Sequence, residues 1–106
     1  MTQEEIQEYN KRCAEFIELE LTGPGFSAGY FYKNNFYQFH ELKFHSDWNW
    51  IMEVVEKIER LTVNTRVRIE SHSCKLTHDN YSNIEIGLTK KEAVIQTINH
   101  VLTNLI

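Results

Sequence analysis

The chain of 106 residues predicts an α+β domain in the order α-β-β-α-β-β-α, an antiparallel sheet with helices packed on it. Three observations lead there. Two Thr-x-x-Glu capping boxes, Thr2 to Glu5 and Thr89 to Glu92, each precede apolar residues at helical spacing. A third helical pattern holds both tryptophans. Between the helices lie two stretches with the period-2 alternation of strands. An order that separates paired strands by helices favours a layered α+β fold.

The tryptophan segment is the element around which the rest is arranged. Ser46 or Asp47 can place a side-chain oxygen over the free amides of the next turn, and Trp48, Ile51, Met52, Val54, Val55, Ile58 and Leu61 then share one broad side, with Trp50 at its edge. Asn49, Glu53, Glu56, Lys57 and Arg60 lie opposite, where Glu53 with Lys57 and Glu56 with Arg60 form i,i+4 pairs. An apolar arc of roughly 200° is wider than a surface helix needs. Two neighbours must cover it: a sheet and a second helix, or an exposed flank that takes a partner.

The first helix is expected from Thr2 to about Glu20, with Ile6, Tyr9, Cys13, Phe16 and Ile17 inward, and Glu8 with Arg12 and Lys11 with Glu15 outward. Thr22-Gly23-Pro24-Gly25 ends it, because proline cannot continue a helix. Phe26 to His40 is aromatic and β-prone, and Asn34-Asn35 suits a two-residue hairpin turn. In that register Tyr30 opposes Phe39 and Tyr32 opposes Tyr37, which makes one aromatic face. Phe31, Lys33, Phe36, Gln38 and His40 make the other. Val63, Thr65, Val67 and Ile69 alternate with polar residues, and a shorter strand follows through Cys74 and Leu76. Ser82 to Gly87 is a weaker pattern for an edge strand. The last helix has Val94, Ile95, Ile98, Val101, Leu102, Leu105 and Ile106 on one side, and His100 on its polar side.

Composition sets the class. With 42% hydrophobic and 12% aromatic residues, residues 1 to 106 form one domain that buries roughly two thirds of its unfolded surface. No apolar run approaches the roughly 20 residues of a membrane span, and the acidic start Met1-Thr2-Gln3-Glu4-Glu5 is unlike a secretory signal. A soluble cytoplasmic protein without membrane contact is the expectation. Cys13 and Cys74, far apart and without a CxxC, read as buried hydrophobes in a reducing compartment. The formal charge of −4 arises between Thr2 and Glu20, where six acids face Lys11 and Arg12; the remaining acids and bases balance. A broad basic surface for nucleic acid is therefore not expected.

Candidate chemistry is sparse. His72, Cys74 and His78 supply three zinc-capable groups where a structural site needs four, so no metal or cofactor is assigned. His45, Ser46 and Asp47 offer a base, a hydroxyl and a carboxylate, but one of the last two is needed as a helix cap and His45 reads as a polar plug beside the tryptophans. No nucleophile elbow, phosphate loop or paired-carboxylate helix is present, and no enzyme activity is expected. Two surfaces remain. Phe31, Phe36, Trp48, Trp50 and Met52 are the candidate protein-binding residues, for a host protein or a second copy in a homodimer. Arg60, Arg66, Arg68 and Lys75 are the alternative, a basic hairpin face for nucleic acid.

The run Leu42 to Leu61, with its "LK-aromatic-H-S-x-W-x-W" and "VVEKIE" segments, resembles a family of small phage and prophage proteins of the Bacteroides and Flavobacterium group. Thr89-Lys90-Lys91-Glu92-Ala93-Val94 and its helix resemble the same family's C-terminal segment, so the likeness covers about the last two thirds of the chain. Glu53 stands where the family pattern has a proline, which implies a more regular helix start. The family carries no assigned activity, and no catalytic residue transfers. A phage origin implies a short protein that binds and disables a host component, such as a defence nuclease, in the host cytoplasm.

Overall fold

The structure is a computed structural model and describes residues 1–23 and 28–106. Pro24 and Gly25 of the expected break, and Phe26 and Ser27 at the start of the expected aromatic strand, lie outside the described residues. Helix α1 spans Gln3–Phe16, strands β1 Glu20–Thr22, β2 Gly29–Tyr32 and β3 Asn35–Gln38 follow, and a 3₁₀ turn covers Phe39–Glu41. Helix α2 spans Trp48–Glu59, strands β4 Arg66–Ile69, β5 Ser73–His78 and β6 Tyr81–Ile86 come next, and α3 spans Lys90–Asn104. The fold is α+β, with helices on antiparallel strands as expected, but the strands form two sheets, β1-β2-β3 (sheet A) and β4-β5-β6 (sheet B).

Helix α1 starts in the capping box expected for it, Thr2 and Glu5 each bonding the other's backbone amide. It stops four residues before Glu20. Glu18 turns left-handed at φ 62°, its amide donates to Glu15 O, and the Leu19 amide donates to Ala14 O, so the last carbonyls are closed off. The chain is thereby released to pair Glu20 with Phe31 and Thr22 with Gly29. This strand, β1, depends on bonds to a segment seven to eleven residues on, and no local pattern announces it.

The aromatic hairpin turns at Lys33-Asn34, one residue earlier than expected, with φ of 48° and 70°. This two-residue turn has both central φ positive, the geometry that matches strand twist. Tyr30 pairs with Tyr37 and Tyr32 with Asn35, so the register differs by two from the expected one. Because side chains alternate with period 2, a shift of two leaves every residue on its expected face. Tyr30 still meets Phe39 at 5.7 Å between ring centres, and Tyr32 meets Tyr37 at 6.4 Å. Only Lys33 and His40 leave the assigned face, His40 because the 3₁₀ turn has begun and Lys33 because it is in the hairpin turn, where its ammonium pairs with Glu53 at 3.0 Å.

Helix α2 is capped by Asp47, whose carboxylate accepts from the Asn49 amide at 2.8 Å. Its buried residues are Trp50, Ile51, Val54, Val55 and Ile58. The expected arc is rotated: Trp50 moves from edge to interior, and Trp48 and Leu61 move outward, 36% and 38% exposed. The cause is sheet A. Its inner aromatics Tyr32 and Tyr37 hold the Trp50 ring at 4.1 and 4.8 Å, with Phe44 at 4.9 Å, so the largest side chain sets the helix orientation. On its other flank α2 packs on α3 and β4. The helix is thus clasped from two directions by its own chain. Of its expected ion pairs, Glu56 with Arg60 forms at 3.9 Å, while Glu53 turns to Lys33 and Tyr32 and Lys57 to Glu18.

In sheet B the core face carries Cys74 and Leu76 with Val67 and Ile69, and α3 packs on β5 and β6. Val63, expected inward, lies in the turn before β4 and is exposed, because Thr62 and Thr65 close that turn by bonding each other's hydroxyls at 2.9 Å. Gly87 lets α3 approach the end of β6. A Cβ there would stand 2.7 Å from the Ala93 amide nitrogen.

Candidate interaction surface

The residues expected to form one docking surface are separated by the fold. Phe31 and Phe36 pair across β2 and β3 on the outer face of sheet A, rings 5.5 Å apart and each 41% exposed. Phe36 lies over Gly29, where any side chain would collide with the ring and with Tyr37 O. Trp50 is on the opposite side of the same sheet, 5% exposed, and is a packing residue; burial removes it from any docking surface. Met52 is half-buried and packs against the core. Trp48 stands elsewhere, at the start of α2, beneath the Lys91 ammonium at 5.7 Å from the ring centre, while that ammonium donates to Ser46 O at 2.6 Å.

Two acids and a lysine lie beside the phenylalanine pair. Glu20 sits directly across from Phe31 in the β1–β2 ladder. A concavity of about 530 Å³ beside it is lined by Glu18, Leu19, Glu20, Phe31, Lys33 and Asn34. The left-handed turn at Glu18 leaves its carboxylate largely in solvent, with Lys57 at 3.7 Å.

The basic face has the expected placement, with altered chemistry. Arg68 and Lys75 are direct partners in the β4–β5 ladder, and Arg66 lies two residues along the same outer face. The Arg66 guanidinium, however, donates to Val63 O and Thr65 O and so ties down the turn before its own strand. Arg68 pairs with Glu70 at 3.0 Å, and Arg60, on α2, with Glu56. These exposed contacts occupy one nitrogen of each guanidinium and leave its other donors open, so they compete only weakly with a phosphate.

Burial favours the neutral forms of Cys13, Cys74 and His45. Both cysteines are fully buried, and burial pushes the Cys13 thiol up to about 12 and raises that of Cys74. His45 is half-buried; burial and then the Lys91 charge lower its pKa. Its ring bonds to Asn10 of α1, and the Lys91 that acts on it also lies over the Trp48 ring. His72 Nδ1 meets Leu88 O and His78 Nδ1 meets the Thr65 hydroxyl. Among the described residues no three His, Cys, Asp or Glu side chains are grouped to hold a metal. No helix among the described residues is long and apolar enough to cross a membrane.

Sequence reasoning missed a second exposed apolar row, Ile84 and Ile86 on β6, 58% and 74% exposed. The alternation from Ser82 to Ile86 was its only signal, and alternation does not say which face meets the core. No family model matches the chain, and neither a curated protein nor a solved structure matches it.

Proposed function

We propose that the protein is a small phage-type, non-enzymatic interaction module that docks through the outer face of sheet A onto a basic, apolar-anchored surface of a host protein. The exposed Phe31–Phe36 pair carries this reading. Two adjoining rings left to water are costly, and aromatic anchors contribute much of the energy of protein interfaces once covered. Glu18 and Glu20 beside them select the partner's chemistry: Lys or Arg for the acids, and an aliphatic or aromatic side chain for the rings. Proteins that act on nucleic acids carry basic surfaces of that kind, so a host component such as a defence nuclease fits.

The test compares capture by wild type and by variants from host lysate. A partner retained by wild type and by Trp48→Ala, but lost with Phe31→Ala/Phe36→Ala and weakened by Glu18→Lys/Glu20→Lys, supports the reading. Capture that ignores both double variants, or none at all, refutes it. The competing reading, nucleic-acid binding, rests on the direct opposition of Arg68 and Lys75. It requires a labelled oligonucleotide to bind at low salt, with affinity falling steeply as salt is added and lost in Lys75→Glu.

A further inference from the structure

The two edges of sheet B are treated differently. At the β4 edge α2 packs alongside, and its Glu59 accepts from the Val67 amide at 3.2 Å. β6 is the other edge. The Gly87 amide donates to His72 O, and stepping back by twos in that ladder, Glu85, Asn83 and Tyr81 direct their backbone groups to β5. Ser82, Ile84 and Ile86 therefore direct theirs away from the sheet. Among the described residues no other strand or side chain takes them up. β6 also lacks the lysine or proline that blunts natural edges, and it shows water the aliphatic side chains of Ile84 and Ile86.

We infer that β6 pairs antiparallel with β6 of a second copy about a two-fold axis at Ile84, joining the two B sheets into one. The strand is complementary to itself in that register. Ile84 meets its own copy, Ser82 meets Ile86, and all three present unpaired donors and acceptors to each other. On the inner face Asn83 meets Glu85, the same amide–carboxylate pair that already bonds within the strand at 2.8 Å. Backbone parity allows only registers that differ by two; of the two neighbours, one sets Glu85 against Glu85, a like-charge pair across the axis, and the other sets Asn83 against Asn83, which gives up both the Ile84–Ile84 contact and the Asn83–Glu85 pairing. The inner-face pairing thus favours the register centred on Ile84.

The outer face permits the same arrangement. Lys75 neighbours Ile84 on β5, so its copy lies three strand spacings away, about 14 Å. That exceeds the roughly 8 Å screening length at physiological salt, and the basic rows do not oppose association. The rows Lys75-Ile84 and Ser73-Ile86 instead frame a strip of isoleucines on the joined sheet. This surface is distinct from Phe31 and Phe36.

Size exclusion with light scattering on the purified full chain tests the inference. Wild type is expected at twice the mass of one chain, reverting to a monomer on dilution. Ile84→Lys should be monomeric, as should Ile84→Pro, whose missing amide is not used by β5, so its own fold is preserved. Phe31→Ala/Phe36→Ala should remain dimeric. Mild oxidation should link Ile84→Cys chains, whose Cα atoms face each other at a bridgeable distance of about 5.5 Å, and should not link Glu85→Cys chains. A wild type that stays monomeric when concentrated, or a dimer indifferent to both Ile84 variants, overturns the inference. So does a purified monomer whose Ile84-dependent complex contains only a foreign chain.

Discussion

The Asn10 side-chain amide donates to Nδ1 of His45 at 2.9 Å and joins α1 to the loop before α2. The same amide nitrogen donates to Leu42 O at 3.2 Å, which fixes the orientation of the carboxamide and leaves its buried oxygen without a partner. Nδ1 of His45 must therefore accept, and the ring proton sits on Nε2. Protonating Nδ1 would set one N–H against another.

Burial and Lys91 both lower the folded pKa of His45 from 6.5, so the unfolded chain takes up its proton first. The stability that neutral His45 contributes is complete above the unfolded value and is lost as pH falls from 6.5 toward the lowered folded one. Urea unfolding between pH 7.5 and pH 5 should show this decline, and His45→Gln should remove part of it. An unchanged slope in the variant would assign the decline to other groups.

The two tryptophans should separate by energetics. Trp50→Ala leaves a cavity among Tyr32, Tyr37 and Phe44 and should cost about 3 to 5 kcal/mol. Trp48→Ala removes a half-exposed ring beneath one lysine and should cost about 1 kcal/mol or less. Denaturant midpoints of the two variants decide between this order and the reverse.

Helix starts offer a second comparison. Asp47→Ala removes the acceptor of the Asn49 amide, and Thr89→Ala that of the Glu92 amide at 3.1 Å; each should destabilise by about 1 kcal/mol. Thermal unfolding of single and double variants should show additive losses, because the caps belong to separate helices.

Cys13 and Cys74 should resist a thiol reagent at pH 8 in the native protein, since both are buried and the Cys13 thiol is pushed up to about 12. Labelling should rise with urea in parallel with unfolding. Rapid modification without denaturant would mean that the packing of α1 or of β5 opens locally.

Much of this was legible because it is local. The capping box at Thr2 and the caps at Asp47 and Thr89 act within one turn, so the three helix starts can be read directly; at Thr89 only half of the expected box forms, because the Glu92 carboxylate accepts from Gln96 instead of the Thr89 amide. Alternation within the aromatic hairpin assigned its faces correctly even though its register was off by two, since face depends only on parity. The core residues Cys74 and Leu76 followed from the same rule.

What the tertiary structure decided is non-local. β1 exists through pairing with β2, and α1 ends early to allow it. The rotation of α2 that buries Trp50 and exposes Trp48 comes from three aromatic rings that only the folded hairpin and the Phe44 loop bring together. Arg66 lies on the expected face, yet its Nη1 is taken by carbonyls of the preceding turn. Backbone periodicity fixes which side a residue occupies along its own element; which neighbour fills that side, and with what charge, is set by segments distant in sequence.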